Sequence, residues 1–125
     1  MAANLKEFGD GLRALYTDLS ASIGRVTIVT MSEFGRRAAE NGGGGTDHGH
    51  GNAMFVLGGN VVGGKVYGEW PGLHTEQLYG PGDLQVTTDF RDVLGEIVAK
   101  RLGNAALDKV FPGYSSFNFG GIVRE

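Results

Sequence analysis

Val26-Thr27-Ile28-Val29-Thr30-Met31, followed at once by Ser32-Glu33-Phe34-Gly35-Arg36, is the stretch on which the fold turns. The first part is rich in β-branched residues and is apolar on both faces apart from two threonines. Such a run suits a strand buried on both sides, as in a parallel sheet lying under helices. The polar residues behind it then stand where the carboxyl end of a strand opens into a loop. Open α/β sheets bind their ligands along that edge.

Working towards the amino terminus, Leu5, Phe8, Leu12, Leu15, Tyr16 and Leu19 recur at three and four residues and predict an amphipathic helix. Asn4 is its expected N-cap, Glu7 the capping-box partner, and Gly24 the stop. In the other direction a polar, glycine-rich loop is expected from Glu40 to Asn52, then a second buried strand over Ala53 to Leu57. Val61 to Tyr67, interrupted by Gly63-Gly64, suggests a short hairpin or edge segment, and Leu84 to Val86 one more short strand. Thr87-Thr88-Asp89 offers N-cap oxygens to a helix with Phe90, Val93, Leu94, Ile97, Val98 and Leu102 on one side, closed by Gly103. Val110 to Tyr114 is apolar enough to pack, and the residues after it are expected to hang loose. The class is α/β. Two or three short strands with two helices make a poor free-standing sheet, so residues 1–125 read as one segment of a larger domain.

Composition narrows the functions. A net charge of -3 gives no basic footprint for nucleic acid, and no apolar run is long enough to span a membrane. The start, MAANLKEFGDGL, lacks the basic and apolar regions of a secretion signal. With no cysteine there is no disulfide, thiolate metal site or cysteine nucleophile. The 23 glycines concentrate between Gly42 and Gly82, so loops shape the middle of the chain.

Chemistry gathers at Thr46-Asp47-His48-Gly49-His50-Gly51. Imidazole nitrogen and carboxylate oxygen suit Zn²⁺, and Mn²⁺ or Fe²⁺ when more oxygens join. The other reading of this run is a flexible loop whose polar residues are merely solvated. Glu33 is placed either to ligate a metal or to cap a turn. Arg36 and Arg37 present guanidinium groups able to hold an oxyanion. His74 reads as a surface residue and Trp70 as part of a packed turn. No P-loop, dinucleotide fingerprint or Gly-x-Ser-x-Gly elbow is present.

Several long blocks resemble one family. They are Val26 to Arg36, Gly45 to Gly59, Gly63 to Leu73, Val86 to Leu94 and Val110 to Tyr114, and together they are similar to the DUF1501 family. That family in turn resembles the alkaline phosphatase, sulfatase and phosphoglycerate mutase superfamily. The resemblance implies the carboxy-terminal part of an alkaline phosphatase-like α/β/α sandwich, with an incomplete sheet. It implies a metal-dependent hydrolase of phosphate or sulfate esters, with Glu33, Asp47, His48 and His50 as metal ligands and Arg36 on the substrate. The metal would be a divalent ion such as Zn²⁺ or Mn²⁺, the substrate a small-molecule or carbohydrate ester. The partner would be the amino-terminal half of the same domain, which in these enzymes carries the nucleophile and the first metal-binding Asp. Neither has a counterpart here, so no catalytic residue is expected and the chain alone should be inactive. Compartment stays open, because full-length members often carry a secretion signal upstream. Phe34 stands where the superfamily usually has a ligating His or Asn, and Glu33 replaces an Asp. Those departures keep open a non-catalytic binding or structural domain with a degenerate metal site.

Overall fold

The computed structural model describes residues 1–125 as two units, Met1–Gly59 with Trp70–Val86 and Asn60–Glu69 with Thr87–Glu125. In the first unit, helix α1 (Ala2–Asp18) starts two residues before the expected cap. Met1 takes the N-cap position with no side-chain bond, because Ala2 and Ala3 are strong helix formers that carry the turn past Asn4. No residue of α1 is buried; Leu5, Phe8, Leu15 and Tyr16 stay exposed, and Phe8 meets the Phe55 ring at 6.3 Å. Beyond Asp18 the chain tightens into a 3₁₀ turn, Ser20–Arg25, instead of stopping at Gly24.

Strands β1 (Thr27–Val29) and β4 (Val56–Gly58) pair antiparallel, with Ile28 opposite Leu57 and Val29 opposite Val56. Both are half-buried. The expected parallel strand covered on two faces is therefore corrected. A parallel pair needs a crossover element, usually a helix, and the chain between these two strands makes a hairpin instead. That hairpin joins β2 (Gly35–Glu40) to β3 (Thr46–Gly49), inside the stretch expected to be loop. A ladder is built from backbone groups, so glycines and charged residues do not prevent it. The other edge of β2 is occupied too. Ala38 N–H donates to Gly82 O at 3.0 Å, and Leu84 N–H to Arg36 O at 3.0 Å. The expected strand at Leu84–Val86 is reduced to this edge contact, bridged at Arg37 and Asp83. Trp70, expected to pack, is 71% exposed. The chain thus has mixed α/β structure with small antiparallel sheets. None of its helices is long and apolar enough to cross a membrane.

The second unit holds all four buried apolar side chains, Val93, Ile97, Ile122 and Val123. Helix α2 (Phe90–Arg101) begins as expected, with the Asp89 carboxylate accepting from Arg91 N–H at 2.9 Å. Its buried face is unexpected. Asp92 and Glu96 lie inside with Val93, Gly95 and Ile97, while Phe90 and Leu102 are exposed. Asp92 Oδ1 accepts from the Tyr114 hydroxyl at 2.8 Å and from Asn118 N–H at 2.9 Å. Glu96 accepts from Lys100 Nζ at 2.8 Å, Gly121 N–H at 2.9 Å and Val123 N–H at 3.2 Å. The tail expected to hang loose is thereby pinned to α2. It also pairs with Val61, across a bridge to Val123 supported by Val62 N–H to Ile122 O at 2.8 Å, so Val61–Tyr67 is no hairpin of its own. The short helix α3 (Leu107–Val110) lies between α2 and the tail in sequence.

Packing explains Gly95. A Cβ there would lie 2.7 Å from two ring atoms of Phe117, so glycine is the residue that admits the ring. Burial is otherwise modest.

Removing the Glu96 carboxylate (Glu96→Ala) leaves two amides unpaired and Lys100 with Val123 O alone, and should cost about 3 kcal/mol in urea denaturation followed through α2. Burial pushes the Glu96 pKa up, but Lys100 and the tail amides outweigh it and hold it below the usual 4.5. Its stabilisation should be complete above that value and fade as pH falls through the lower folded one. At the alkaline end Tyr114 is pushed from 10.0 to about 12, first by its bond to Asp92 and then by burial. Protonated Tyr114 therefore stabilises the fold below pH 10, and that share should disappear as pH rises towards 12. Melting temperatures recorded across both ranges would show the two declines.

Candidate functional site

The site grows from the β2–β3 hairpin. Its tip is closed by Asn41, whose backbone N–H donates to Gly45 O at 2.8 Å and whose side-chain oxygen accepts from Gly43 N–H (3.0 Å) and Gly45 N–H (3.2 Å). The Asn41 amide nitrogen then donates to Asp47 Oδ1 at 2.8 Å, tying the tip to β3. Opposite, Arg36 and His48 are paired residues of the ladder, and Arg36 Nη1 donates to Thr46 O at 3.0 Å. Gly49 permits the close packing between the strands. A Cβ on it would stand 2.5 Å from the Arg36 carbonyl carbon and 2.7 Å from Arg37 N. These are backbone atoms that cannot swing aside, so the residue between the two histidines has to be glycine.

Each histidine is backed by an aromatic ring. His48 stacks on Phe34 with centroids 4.1 Å apart and planes 14° from parallel. His50 stacks on Tyr79 at 4.3 Å and 15°. Tyr79 is brought there by the turn Tyr79–Asp83, in which Tyr79 N–H donates to Asp83 O at 2.9 Å. Stacking fixes the plane of an imidazole while leaving its nitrogens at the open ring edge. Neither the His48 nor the His50 imidazole makes a side-chain hydrogen bond, and both residues are exposed.

A shallow depression of about 530 Å³ is lined by Arg36, Arg37, Asn41, Thr46, Asp47 and His48. It brings together four of the residues selected from sequence, Arg36, Arg37, Asp47 and His48. Glu33 and His50 are not part of it. Glu33 sits exposed in the turn between β1 and β2, where Ser32 Oγ donates to Phe34 O at 2.9 Å. Arg37 is drawn towards Asp83, with Nε 3.4 Å from Oδ1. A resident metal needs three or four donors. No three of the chain's His, Asp and Glu side chains gather closely enough to hold one, so these residues by themselves do not fit a complete metal site.

Sequence reading missed Asn41 and Tyr79. Asn41 precedes four glycines, a turn signal that predicts a tip but not a bond to Asp47. Tyr79 carried no local signal, since only the tertiary turn brings it to His50. Phe34 had been noticed only as the loss of a ligand, and its ring proves to be the support of His48.

What fold and site define together is a mixed α/β chain with small antiparallel sheets and an imidazole and guanidinium surface on one hairpin. Residues 1–104 match the family model described as "Protein of unknown function (DUF1501)", and the chain belongs to that family. No curated protein and no solved structure matches it.

Gly49→Ala should force the strands apart and cost about 2 kcal/mol in the hairpin. The check is NMR: the ring-current shift that Phe34 imposes on the His48 protons should disappear, while hydrogen exchange in α2 stays unchanged.

Proposed function

We propose that the chain is the carboxy-terminal portion of an alkaline phosphatase-like α/β/α domain, and that its hairpin supplies part of a site for phosphate or sulfate esters. The observation that carries this reading is the pair of aromatic-backed imidazoles, His48 and His50, whose ring nitrogens are left without partners in the chain. Neutral imidazole is a common metal donor once its ring is oriented. Arg36, in the same depression as His48, suits a bound oxyanion through paired N–H donors.

Under-burial supports the idea of an incomplete domain. A helix α1 with no buried residue, and a β1–β4 sheet whose strands are only half-buried, are what a segment awaiting further strands and helices would present. The donor set would be completed by residues outside these 125, with Asp47 or Glu33 joining the histidines. A divalent metal such as Zn²⁺ or Mn²⁺ would then polarise the ester and activate the nucleophile. This chain's own residues would bind and orient: imidazole nitrogens towards the metal, the Arg36 guanidinium towards the ester oxygens. No side chain here is assigned as nucleophile.

The second reading, a non-catalytic binding or structural domain, is favoured by two observations. Asp47 is already bonded to Asn41, and Glu33 stands apart from the depression that His48 lines.

Titration with Zn²⁺ and Mn²⁺, followed through the imidazole NMR signals, separates the two. The hydrolase reading expects both His48 and His50 to shift. His48→Ala and His50→Ala should each weaken binding by at least the roughly tenfold that loss of an outer-shell partner costs. Equal affinity in both variants would leave the binding or structural reading in place. The chain alone should not hydrolyse 4-nitrophenyl phosphate or sulfate.

A further inference from the structure

The hairpin tip carries a chemistry that the proposed site does not use. Asn41 is followed by Gly42, the chain's single Asn-Gly pair, and Gly42 is exposed with no side chain to shield its amide. The Gly42 nitrogen takes part in no hydrogen bond of the tip, whose backbone bonds run from Asn41 N–H to Gly45 O and from Gly44 N–H to Asn41 O at 3.1 Å. Meanwhile the Asn41 side chain curls back over the turn. Two backbone N–H groups, from Gly43 and Gly45, point at its oxygen at 3.0 and 3.2 Å. A carboxylate, Asp47, holds its nitrogen at 2.8 Å.

We propose that Asn41 is a self-deamidating residue and that the folded tip accelerates the reaction. Solvent base removes the Gly42 amide proton, and the Gly42 nitrogen attacks Asn41 Cγ. A bond forms between them and negative charge develops on Asn41 Oδ1, where the Gly43 and Gly45 N–H groups already sit as an oxyanion hole. The Cγ–Nδ2 bond then breaks, and Nδ2 leaves as ammonia with a proton taken from water, drawn to the side on which Asp47 accepts from it. The five-membered imide is opened by water to aspartate or isoaspartate. The balance is asparagine plus water going to a carboxylate and ammonium.

The consequence falls on the depression. The amide that donated to Asp47 becomes a second carboxylate facing it, so an attractive contact at 2.8 Å turns into a like-charge one. The change adds one negative charge to a surface also lined by Arg36, Arg37 and His48.

The test compares the same full chain in mildly alkaline buffer and in concentrated urea at one pH and temperature. Tryptic peptide Ala38–Lys65 is followed for a gain of one mass unit and for isoaspartate by enzymatic methylation. The folded chain should convert at least about tenfold faster than the unfolded one, given what one oxyanion-hole donor is worth. Gly42→Ala should slow the folded reaction, and Asn41→Asp should already show the product mass. Conversion in urea as fast as, or faster than, in buffer would overturn the proposal, as would a mass gain in Gly42→Ala equal to that of the unaltered chain.

Discussion

Glu96 has no exposed surface, and what it touches holds the second unit together. Two amides from the tail and the ammonium of Lys100 converge on its two oxygens. Taking a carboxylate out of water is costly unless its lone pairs are met, so the tail has to lie where it does. Once it does, Ile122 and Val123 close over Val93 and Ile97 and complete the small apolar core. Asp92, one turn earlier, repeats the device with Tyr114 and Asn118. Polar anchoring here determines where apolar packing can occur.

This explains where the sequence was legible. Helix α2 and its Asp89 cap follow from local pattern, and so does the presence of strands at Thr27–Val29 and Val56–Gly58. Asp92, Glu96 and Lys100, spaced by four, look like a solvated charged stripe in any periodicity argument. Only partners about 25 residues away turn that stripe inward. The hairpin was hidden for a related reason, because Gly35–Glu40 and Thr46–Gly49 pair through backbone while their side chains are glycine, charged or small. Strand direction was read from an apolar pattern that suits burial on both faces, and the intervening hairpin reversed it.

At the candidate site the residue types were readable and their arrangement was not. The run around His48 announces metal-donor chemistry, yet β3 ends at Gly49, so His50 leaves the ladder that carries Asp47 and His48. Arg36, Asp47 and His48 come to one depression, whereas His50 is carried to Tyr79 and Glu33 to a turn. Proximity in sequence overstated convergence in space. Conversely, Phe34, read from sequence only as the loss of a ligand, is the ring on which the His48 imidazole stacks.

The reach of Glu96 also sets a timetable for synthesis. The β2–β3 hairpin is closed by contacts between near neighbours, and such structures form within microseconds of being free to do so. Helix α2 is in a different position. Its inner carboxylates find their partners only among residues 114 to 123, and the edge at Val61 pairs with Val123, more than sixty residues later. A ribosome adds roughly 5–20 residues per second from the amino end. Between the addition of Arg101 and that of Val123, then, about one to four seconds pass in which the two inner carboxylates of α2 have no partners to meet. The second unit can settle only once residues 114 to 123 have been made.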